Sequence, residues 1–559
     1  MTTATANTAE ALTEQHRPTL ERAVAAIRSR EYFSQYPEQL KAQPEGAVEA
    51  GQSAFEAYRG STFPIEVPGA DGTVNTESSP YGIPLDISYP HTTPDAAIAA
   101  AQAALPTWRD AGPTARAAVC VEILDRLHAR SVEIAHACMH TSGQAFGMAF
   151  QAGGPHAQDR GLEAVAYAYA EMTRHAPTAR WEKPQGKRGP LVMEKRFNVV
   201  PRGVALVIGC NTFPTWNSYP GLFASLATGN AVLVKPHPKA VLPLAISVVV
   251  AREVLAEAGF DPNLVTLVAE QPDEKLAATL AQRPEVKIID FTGSTAFGDW
   301  LERNAPQAQV YTEKAGVNTI VIDSTDDYPG MLNNIAFSLS LYTGQMCTAP
   351  QNLLIPRDGI AVGEERKSFA DVTRDLAGAV DALLGEEKRA VEILGAVVND
   401  DVVARIEHAG TLGEVLLASR AVDHPAFPDA TVRTPAIIGV TAGDQQAFGE
   451  ECFGPVAFAV ATDSTDASID VFRTVVGAKG ALTVSVYSTD EAVLDAMEQA
   501  AQDVGVALSC NLTGGVYVNQ SAAFSDFHGT GANAAANAAL TDGAYVAGRF
   551  RIVQSRRHA

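Results

Sequence analysis

Two residues of reactive type stand among small residues in this chain of 559 residues. Cys347 lies in TGQMCTAP, and Glu313 lies in YTEKAGVN, directly after the strand-like run Gln309–Thr312. Cysteine is the strongest nucleophile among side chains once it is a thiolate, and a carboxylate at a strand end can act as a general base. A lone thiol is more often buried and inert, and a strand-end glutamate is more often exposed. Catalysis and a purely structural role are therefore both open for each residue.

Two further candidates follow the ends of predicted strands. Asn211 follows the first strand, in VIGCNTFPTW, where a side-chain amide can stabilise a developing oxyanion. Lys235 ends the second strand, in VLVKPHPK, and would point into a ligand crevice if the strands form a parallel sheet. A turn asparagine and a solvated strand-end lysine are the plain alternatives.

The segment FTGSTAFG joins a predicted buried strand to a helix. After Gly293 and Ser294, the helix N-terminus offers free N–H groups to a phosphate. Gly293 to Gly298 matches G-x-x-x-x-G, but Asp299 and Trp300 stand where a triphosphate-binding loop needs lysine and serine or threonine. The dinucleotide fingerprint G-x-G-x-x-G is also missing from this segment. A phosphate contact stays possible, whereas both standard nucleotide motifs are excluded here.

The loop EECFGP combines a carboxylate with an aromatic ring. Glu451 could bind a sugar diol and Phe453 could lie against a flat heterocycle, although the pattern alone is weak. The segment HACMH offers metal-ligating residue types, but on a helix Cys138 lies on the side opposite to His136 and His140. Because no completing ligand pair is evident, we expect no metal site.

Alternating elements are predicted to position these residues. Four short apolar runs separated by helix-like segments favour a parallel sheet with helices on both faces, and ligands of such sheets gather at the carboxyl ends of the strands. The four runs are Val204–Gly209, Ala231–Pro236, Leu264–Ala269 and Val286–Phe291. A second α/β region, at about 319–518, contains the predicted strands Ile393–Val398, Val456–Ala461 and Leu482–Tyr487.

Composition narrows the classes of function. With 46% hydrophobic and 19% charged residues, the chain is of ordinary globular type, which excludes wholesale disorder, collagen and a disulfide miniprotein. Its formal net charge of −22 speaks against a general surface for nucleic acids or anionic membranes. Six scattered cysteines without a CxxC pair, no secretion signal and no apolar stretch of membrane-spanning length predict a cytoplasmic protein.

Taken together, the segments resemble the aldehyde dehydrogenase superfamily. Six motifs occur in the family's order: an Asn–Phe–Pro element, Lys-Pro, Phe-Thr-Gly-Ser-Thr-x-x-Gly, a glutamate with glycine and asparagine after it, Gly-Gln-x-Cys, and Glu-x-Phe-Gly-Pro. The likeness runs from about residue 85 to the end. It implies an α/β fold with a Rossmann-type cofactor domain, an α/β catalytic domain and a small β oligomerisation element.

The resemblance also implies boundaries and roles. We expect an N-terminal helical extension at 1–85, a nicotinamide-cofactor domain at 86–312 interrupted by a hairpin at 180–200, a catalytic domain at 313–530, and a C-terminal return and oligomerisation tail at 531–559. Cys347 would be the nucleophile and Glu313 the base, with Asn211 and the Cys347 N–H as the oxyanion hole. The residues expected to bind the cofactor are Lys235, Gly293, Ser294, Gly298, Glu451 and Phe453.

Several positions depart from the family pattern. Thr212 separates Asn211 from the Phe-Pro pair, so the placement of that amide is open. The family often has a glutamate for the adenosine ribose shortly after Lys-Pro, whereas here His237, Pro238 and Lys239 follow. Because that carboxylate is lost and Lys239 could pair with a 2′-phosphate, we expect NADP to be accepted or even preferred, with NAD as the alternative.

A narrower likeness is to the phenylacetic-acid-degradation group called PaaN. It rests on the N-terminal extension and on the variants CNTFPTWNSYP and NQSAAFSDFHGTG. It implies oxidation of a semialdehyde from ring cleavage of phenylacetate, free or CoA-linked, without hydratase activity. Trp216, Tyr219 and Phe524 are expected to line the substrate pocket.

Two other functions remain open at this point, a CoA-acylating aldehyde dehydrogenase and a non-catalytic family member. The expected partners are an aldehyde and further copies of the chain, as a dimer or tetramer, and neither nucleic acid nor membrane.

Overall fold

The first site-bearing sheet has five strands, all parallel. The computed structural model describes residues 3–559, and side chains from residue 8 onward. In spatial order the strands are Val265–Leu267, Ala231–Lys235, Val204–Ile208, Val286–Thr292 and Gln309–Glu313. Each of the four predicted apolar runs overlaps one of these strands. Ile208 pairs with Lys235 on one side and Phe291 on the other, and Thr292 pairs with Glu313. This register brings several candidate residues to one edge of the sheet.

The second sheet has seven strands and carries the region around Cys347. Its strands are, in spatial order, Glu414–Leu417, Ala436–Thr441, Val456–Thr462, Asn352–Pro356, Thr319–Ile322, Thr483–Tyr487 and Ala507–Cys510. All neighbours are parallel except the edge strand Glu414–Leu417. Alternate residues such as Leu353 and Leu354 enter two different apolar clusters, because both faces are covered. These two sheets confirm the predicted α/β class.

One predicted strand of the second region is wrong. The apolar run Ile393–Val398 is the end of the helix Glu387–Leu394 followed by a buried loop. The Ala396 N–H donates to the Gly143 carbonyl, and the Val398 N–H donates to the Gln345 side chain. An apolar run of this length fits a buried loop as well as a strand, and sequence periodicity does not separate the two.

A third sheet is antiparallel and lies at the surface. It consists of Phe550–His558, Leu191–Pro201 and Thr178–Lys183, so the C-terminal strand pairs with the hairpin expected at 180–200. Two small sheets complete the strands. They are Ala70–Val74 with Tyr89–Thr92, and Ser324–Thr325 with Ile360–Val362 and Glu365–Lys367.

The N-terminal segment packs onto the core. Its first helix contacts the helix Gly112–Ala129, and Leu20 and Ala23 are buried there. Phe55, on its second helix, stacks on the rings of His136 and His140. The rings of these two histidines therefore take part in aromatic packing.

The helices surround and connect the sheets. They are Thr3–Ser29, Ala47–Tyr58, Pro94–Asp110, Gly112–Ala129, Ser131–Ser142, Phe146–Gly153, Pro155–Met172, Pro214–Ala227, Leu242–Glu257, Leu276–Ala281, Thr295–Asn304, Tyr328–Ser340, Phe369–Leu383, Glu387–Leu394, Asp400–Ala409, Gln445–Phe448, Thr465–Lys479, Glu491–Val504 and Gly543–Ala547. Among the described residues, none of these helices combines the length and apolar character needed to cross a bilayer.

Candidate active site

The loop that carries Cys347 is held from two sides. It follows the helix Tyr328–Ser340, and Asn318 donates its amide to the carbonyls of Cys347 (2.8 Å) and Ala349 (3.0 Å). Gly344 has a φ of +60°, and a Cβ there would lie 2.5 Å from the carbonyl oxygen of Gly454. The Cys347 loop thus packs against the EECFGP loop, which needs glycine at this contact.

Glu313 is buried at the end of its strand. Its Oε2 accepts hydrogen bonds from Asn217 Nδ2 (3.2 Å) and His528 Nε2 (3.2 Å). Its Oε1 is buried and has no hydrogen-bond partner among the described residues. Burial alone would raise the pKa of Glu313, but the His528 charge and the hydrogen bonds from His528, Cys347 and Asn217 outweigh it and lower that pKa. The carboxylate is therefore ionised and has one oxygen free to accept a proton.

Cys347 lies beside this carboxylate. One side-chain N, O or S atom from each of Cys347, Glu313 and His528 lies within 4.8 Å of the other two, and Cys347 Sγ is 3.9 Å from His528 Nε2. Burial, followed by the Glu313 charge, raises the pKa of the Cys347 thiol. The spacing would also suit a metal ion, but because the thiol opens onto a large cavity we interpret the cluster as acid–base and nucleophilic groups.

The cavity in front of Cys347 has a volume of about 810 Å³, which is in the range of small-molecule sites. Its aromatic lining residues are Tyr32, Phe33, Phe146, Phe213, Trp216 and Phe337. Tyr32 and Phe33 belong to the N-terminal segment, which therefore forms part of the wall.

The expected liners Tyr219 and Phe524 do not line this cavity. The Tyr219 hydroxyl pairs with Ser247 in the core, and Phe524 is buried behind Phe33, with the ring centroids 4.8 Å apart. Trp216 does line the cavity, as expected.

Asn211 is engaged away from the reactive thiol. Its Nδ2 donates to the Thr141 carbonyl (3.0 Å), and Asn211 is not among the residues that line the cavity. Asn217 lines it instead and contacts Glu313. Asn217 is the fourth residue of the helix Pro214–Ala227, whereas Asn211 lies in the bend before that helix.

At the carboxyl ends of the first sheet, Lys235 is buried and paired with Glu270. Glu270 also accepts a hydrogen bond from the Leu276 N–H (2.7 Å). Gly293 and Ser294 precede the helix Thr295–Asn304, whose N-terminus Ser294 caps through the Phe297 N–H. A helix N-terminus at the same sheet edge as a lysine and a carboxylate matches the phosphates and ribose hydroxyls of a dinucleotide.

Gly298 and the EECFGP loop both contact the segment that directly follows Glu313. Gly298 packs under Lys314, whose side-chain carbons would be 2.6 Å from an added Cβ. Burial raises the pKa of Glu451 to about 7, although a hydrogen bond from the Gly316 N–H lowers it. The Phe453 carbonyl accepts a hydrogen bond from Arg405 (2.7 Å). Glu451 is close enough to Cys347 for its charge to raise the thiol pKa.

Sequence reasoning missed His528, Asn217 and Glu270. The signal for His528 was present in the unusual segment NQSAAFSDFHGTG, but no motif connected it with Cys347, which lies far away in the chain. Glu270 follows a strand end, where its carboxylate could have been suspected of facing the crevice.

Comparison with known proteins agrees with this geometry. A sequence model described as the aldehyde dehydrogenase family matches residues 90–535. The structure is similar to that of an NAD-dependent aldehyde dehydrogenase from Burkholderia multivorans, with 60% identity, a TM-score of 0.97, and coverage of 98% of this chain and 99% of that chain.

Two curated relatives are more distant. The benzaldehyde dehydrogenase [NAD(+)] of Pseudomonas putida is 24% identical, over 67% of this chain and 72% of that protein. The 1-pyrroline-5-carboxylate dehydrogenase of Bacillus thuringiensis is 29% identical, over 56% of this chain and 58% of that protein.

Proposed function

The chain belongs to the aldehyde dehydrogenase family, and we propose that it oxidises an aldehyde to the carboxylic acid with NAD as the cofactor. The observation that carries this proposal is the meeting of Cys347 Sγ and the Glu313 carboxylate within 4.8 Å, at the wall of an aromatic-lined cavity. These groups are a nucleophile for the carbonyl carbon and a base for water.

The chain's own residues supply the steps. The Cys347 thiolate bonds to the aldehyde carbon, and the Cys347 N–H with the Asn217 amide stabilises the alkoxide, in place of the expected Asn211. Bound NAD would supply the acceptor for the hydride that leaves this carbon. Glu313 then takes a proton from water at its unpartnered Oε1, and attack of that water on the thioester releases the acid and frees Cys347.

The cofactor is proposed to lie along the carboxyl ends of the first sheet. Lys235, Gly293, Ser294 and Gly298 would hold its adenosine–pyrophosphate half. Glu451 and Phe453 would hold the nicotinamide ribose and ring. The Lys235 ammonium, the Glu270 carboxylate and the helix N-terminus after Ser294 support this assignment. The NAD dependence stated for the Burkholderia relative also supports it.

Glu270 revises the expectation about NADP. In this chain Pro238 stands where the family often has a glutamate for the adenosine ribose. Glu270 supplies a carboxylate in its place, since it pairs with the Lys235 ammonium from another loop. A carboxylate at this position hydrogen-bonds a ribose hydroxyl and repels a 2′-phosphate. We therefore propose that NAD is preferred.

Replacing Glu270 with glutamine is expected to raise the kcat/KM ratio of NADP to NAD by about 10-fold, because a like charge beside the 2′-phosphate is removed. Titration calorimetry should show the same gain in NADP affinity. The control is Glu257→Gln, since Glu257 is exposed and pairs with Arg126 rather than with Lys235. An unchanged ratio in Glu270→Gln, or a wild-type preference for NADP, would refute this role.

The substrate is proposed to be a semialdehyde from ring cleavage of phenylacetate, as in the PaaN group. The aromatic lining supports a sizeable apolar body. The acidic lining residues are Glu38, Asp159 and Glu392, and the cavity wall of the described chain contains no lysine or arginine. Because CoA phosphates would find no strong cation inside the cavity, we propose the free aldehyde rather than the CoA-linked one.

An activity screen tests this function. Purified protein with NAD should reduce the cofactor in the presence of aliphatic, aromatic and CoA-linked aldehydes, fastest with apolar free aldehydes, and the product should be the free acid. An acyl-CoA product formed only when CoA is present would instead establish the acylating reaction. Absence of cofactor reduction with every aldehyde would leave the non-catalytic alternative.

We propose that the protein is cytoplasmic and assembles as several copies through the surface sheet. Its C-terminal strand exposes Ile552 and Val553, and the neighbouring hairpin exposes Leu191. A surface sheet with two edge strands and these apolar side chains among its charged residues is suited to pairing with a second copy. Wild-type protein is expected to elute as a dimer or tetramer in size-exclusion chromatography with light scattering, and Ile552→Asp as a smaller species. A monomeric wild type would contradict this proposal.

A further inference from the structure

Tyr32 is an exposed aromatic residue at the rim of the cavity that contains Cys347. It is 83% exposed, the largest fraction among the large apolar side chains of the described residues, and it lines this cavity. It also lies outside residues 90–535, the part of the chain that matches the family model. A tyrosine ring offers a large, mostly apolar contact area with few rotatable bonds, so a ligand that covers it gains much contact at little cost in entropy.

The backbone before Tyr32 is tied to the body of the protein. The Arg30 guanidinium donates to the Glu163 carboxylate (3.1 Å) and lies 3.9 Å from the centroid of the Phe527 ring. Glu163 is buried, and an ion pair with a buried partner is screened less by salt than one between exposed groups. The chain is thus anchored two residues before Tyr32.

The backbone after Tyr32 is tied to the helix Pro155–Met172. Asp159 on this helix accepts hydrogen bonds from the Ser34 hydroxyl (2.7 Å) and from the Gln35 N–H (3.0 Å). Because the segment is held on both sides, the fold itself sets the position of the Tyr32 side chain at the rim.

One cavity joins this rim to the reactive thiol. Phe33 lines it beside Tyr32 and packs edge-to-face against the buried Phe524, with the ring centroids 4.8 Å apart. A cavity of about 150 Å³ is enough to hold benzene, so a cavity of about 810 Å³ has room for a substrate much larger than its carbonyl group. An aldehyde bound with its carbonyl carbon at Cys347 Sγ can therefore extend an apolar tail toward the Tyr32 ring.

We propose that Tyr32 is a specificity-determining residue, whose ring covers the apolar tail of the aldehyde at the end remote from the carbonyl. This inference rests on the proposed function, and it names the part of the substrate that the N-terminal segment binds. The contact removes apolar area of both ring and tail from water, and it is the same before and during the reaction at the carbonyl. It therefore lowers KM for aldehydes with long tails and leaves kcat unchanged.

The test compares Tyr32→Ala with wild type over straight-chain aldehydes from propanal to dodecanal, with saturating NAD. For the longest aldehydes the KM of Tyr32→Ala is expected to rise by about 10-fold at unchanged kcat, because apolar contact is lost equally from the bound state and the transition state. The KM for propanal, whose tail ends before the rim, should stay at the wild-type value. A general disturbance of the fold would instead affect short and long aldehydes alike.

Three further variants sharpen this test. Tyr32→Gln also removes the ring and should reproduce the selective rise in KM, whereas Tyr32→Phe keeps the ring and should keep the wild-type values. Leu40→Ala removes an exposed apolar side chain of the same segment that is not among the residues lining the cavity, and it should also match wild type.

The possible failures are distinguishable. Wild-type KM values for the longest aldehydes in Tyr32→Ala, an equal rise for propanal, or a change only in the size of the assembly would overturn this inference alone. If wild type reduced NAD with none of the aldehydes, the proposed function would be overturned and this inference with it.

Discussion

Replacing Cys347 with serine is expected to abolish aldehyde-dependent reduction of NAD, with a loss on the order of 10³-fold or more in kcat/KM. A serine hydroxyl has nearly the same shape but is far less acidic than a thiol and a much weaker nucleophile. Because the thiohemiacetal is the species from which hydride leaves, no later step can compensate. Stopped-flow absorbance at 340 nm measures both the first turnover and the steady state.

The matched control for this experiment is Cys510→Ser, since Cys510 is exposed at the far edge of the second sheet. This variant should retain wild-type kinetics. A thermal unfolding curve of Cys347→Ser close to the wild-type curve would show that the loss is chemical. If Cys347→Ser keeps more than a tenth of the activity, the nucleophile is another residue.

Replacing Glu313 with glutamine is expected to separate the two halves of the reaction. The first turnover should still give a burst of reduced cofactor, because the nucleophile Cys347 remains, while the steady-state rate falls by about 10²- to 10⁴-fold. The amide cannot take the proton from water, so the thioester persists. Rapid-mixing measurements of burst amplitude and of the following linear rate distinguish these effects.

A carboxylate outside the cavity provides the comparison for Glu313. Glu450 is exposed and pairs with Lys479 at 2.9 Å, so Glu450→Gln should leave both burst and turnover unchanged. If Glu313→Gln lost burst and turnover equally, Glu313 would act before or during attack by the thiol. The division of roles between Cys347 as nucleophile and Glu313 as the base for water would then be wrong.

The sheet that holds the cofactor candidates was predictable from sequence because its strands are buried on both faces. Fully apolar runs between helix-like segments leave few alternatives, and each of the four runs overlaps a strand. The run Ile393–Val398 has the same composition, yet it follows a helix as a buried loop. There, hydrogen bonds to distant segments satisfy the backbone, and such partners are not visible in a local pattern.

The candidate site was predictable only where a local motif carries it. Cys347 and Glu313 stand in recognisable segments, and the structure brings them together. His528 reaches them from a late part of the chain. Its contact depends on how the segment after the last strand of the second sheet folds back, and the backbone pairing of His528 with Leu540 is part of that return. Glu270 similarly acts from a neighbouring strand end. Residues of this kind are revealed by geometry rather than by spacing.

The most direct measurement of the central claim is the mass of the trapped covalent intermediate. Glu313→Gln is mixed with NAD and a reactive aldehyde, quenched in acid, and analysed by intact-protein and peptide mass spectrometry. The account predicts one acyl group per chain, located on the peptide that contains Cys347 and absent when NAD is omitted. An unmodified Cys347 after a full burst of reduced cofactor, or an acyl group on a different residue, would contradict it.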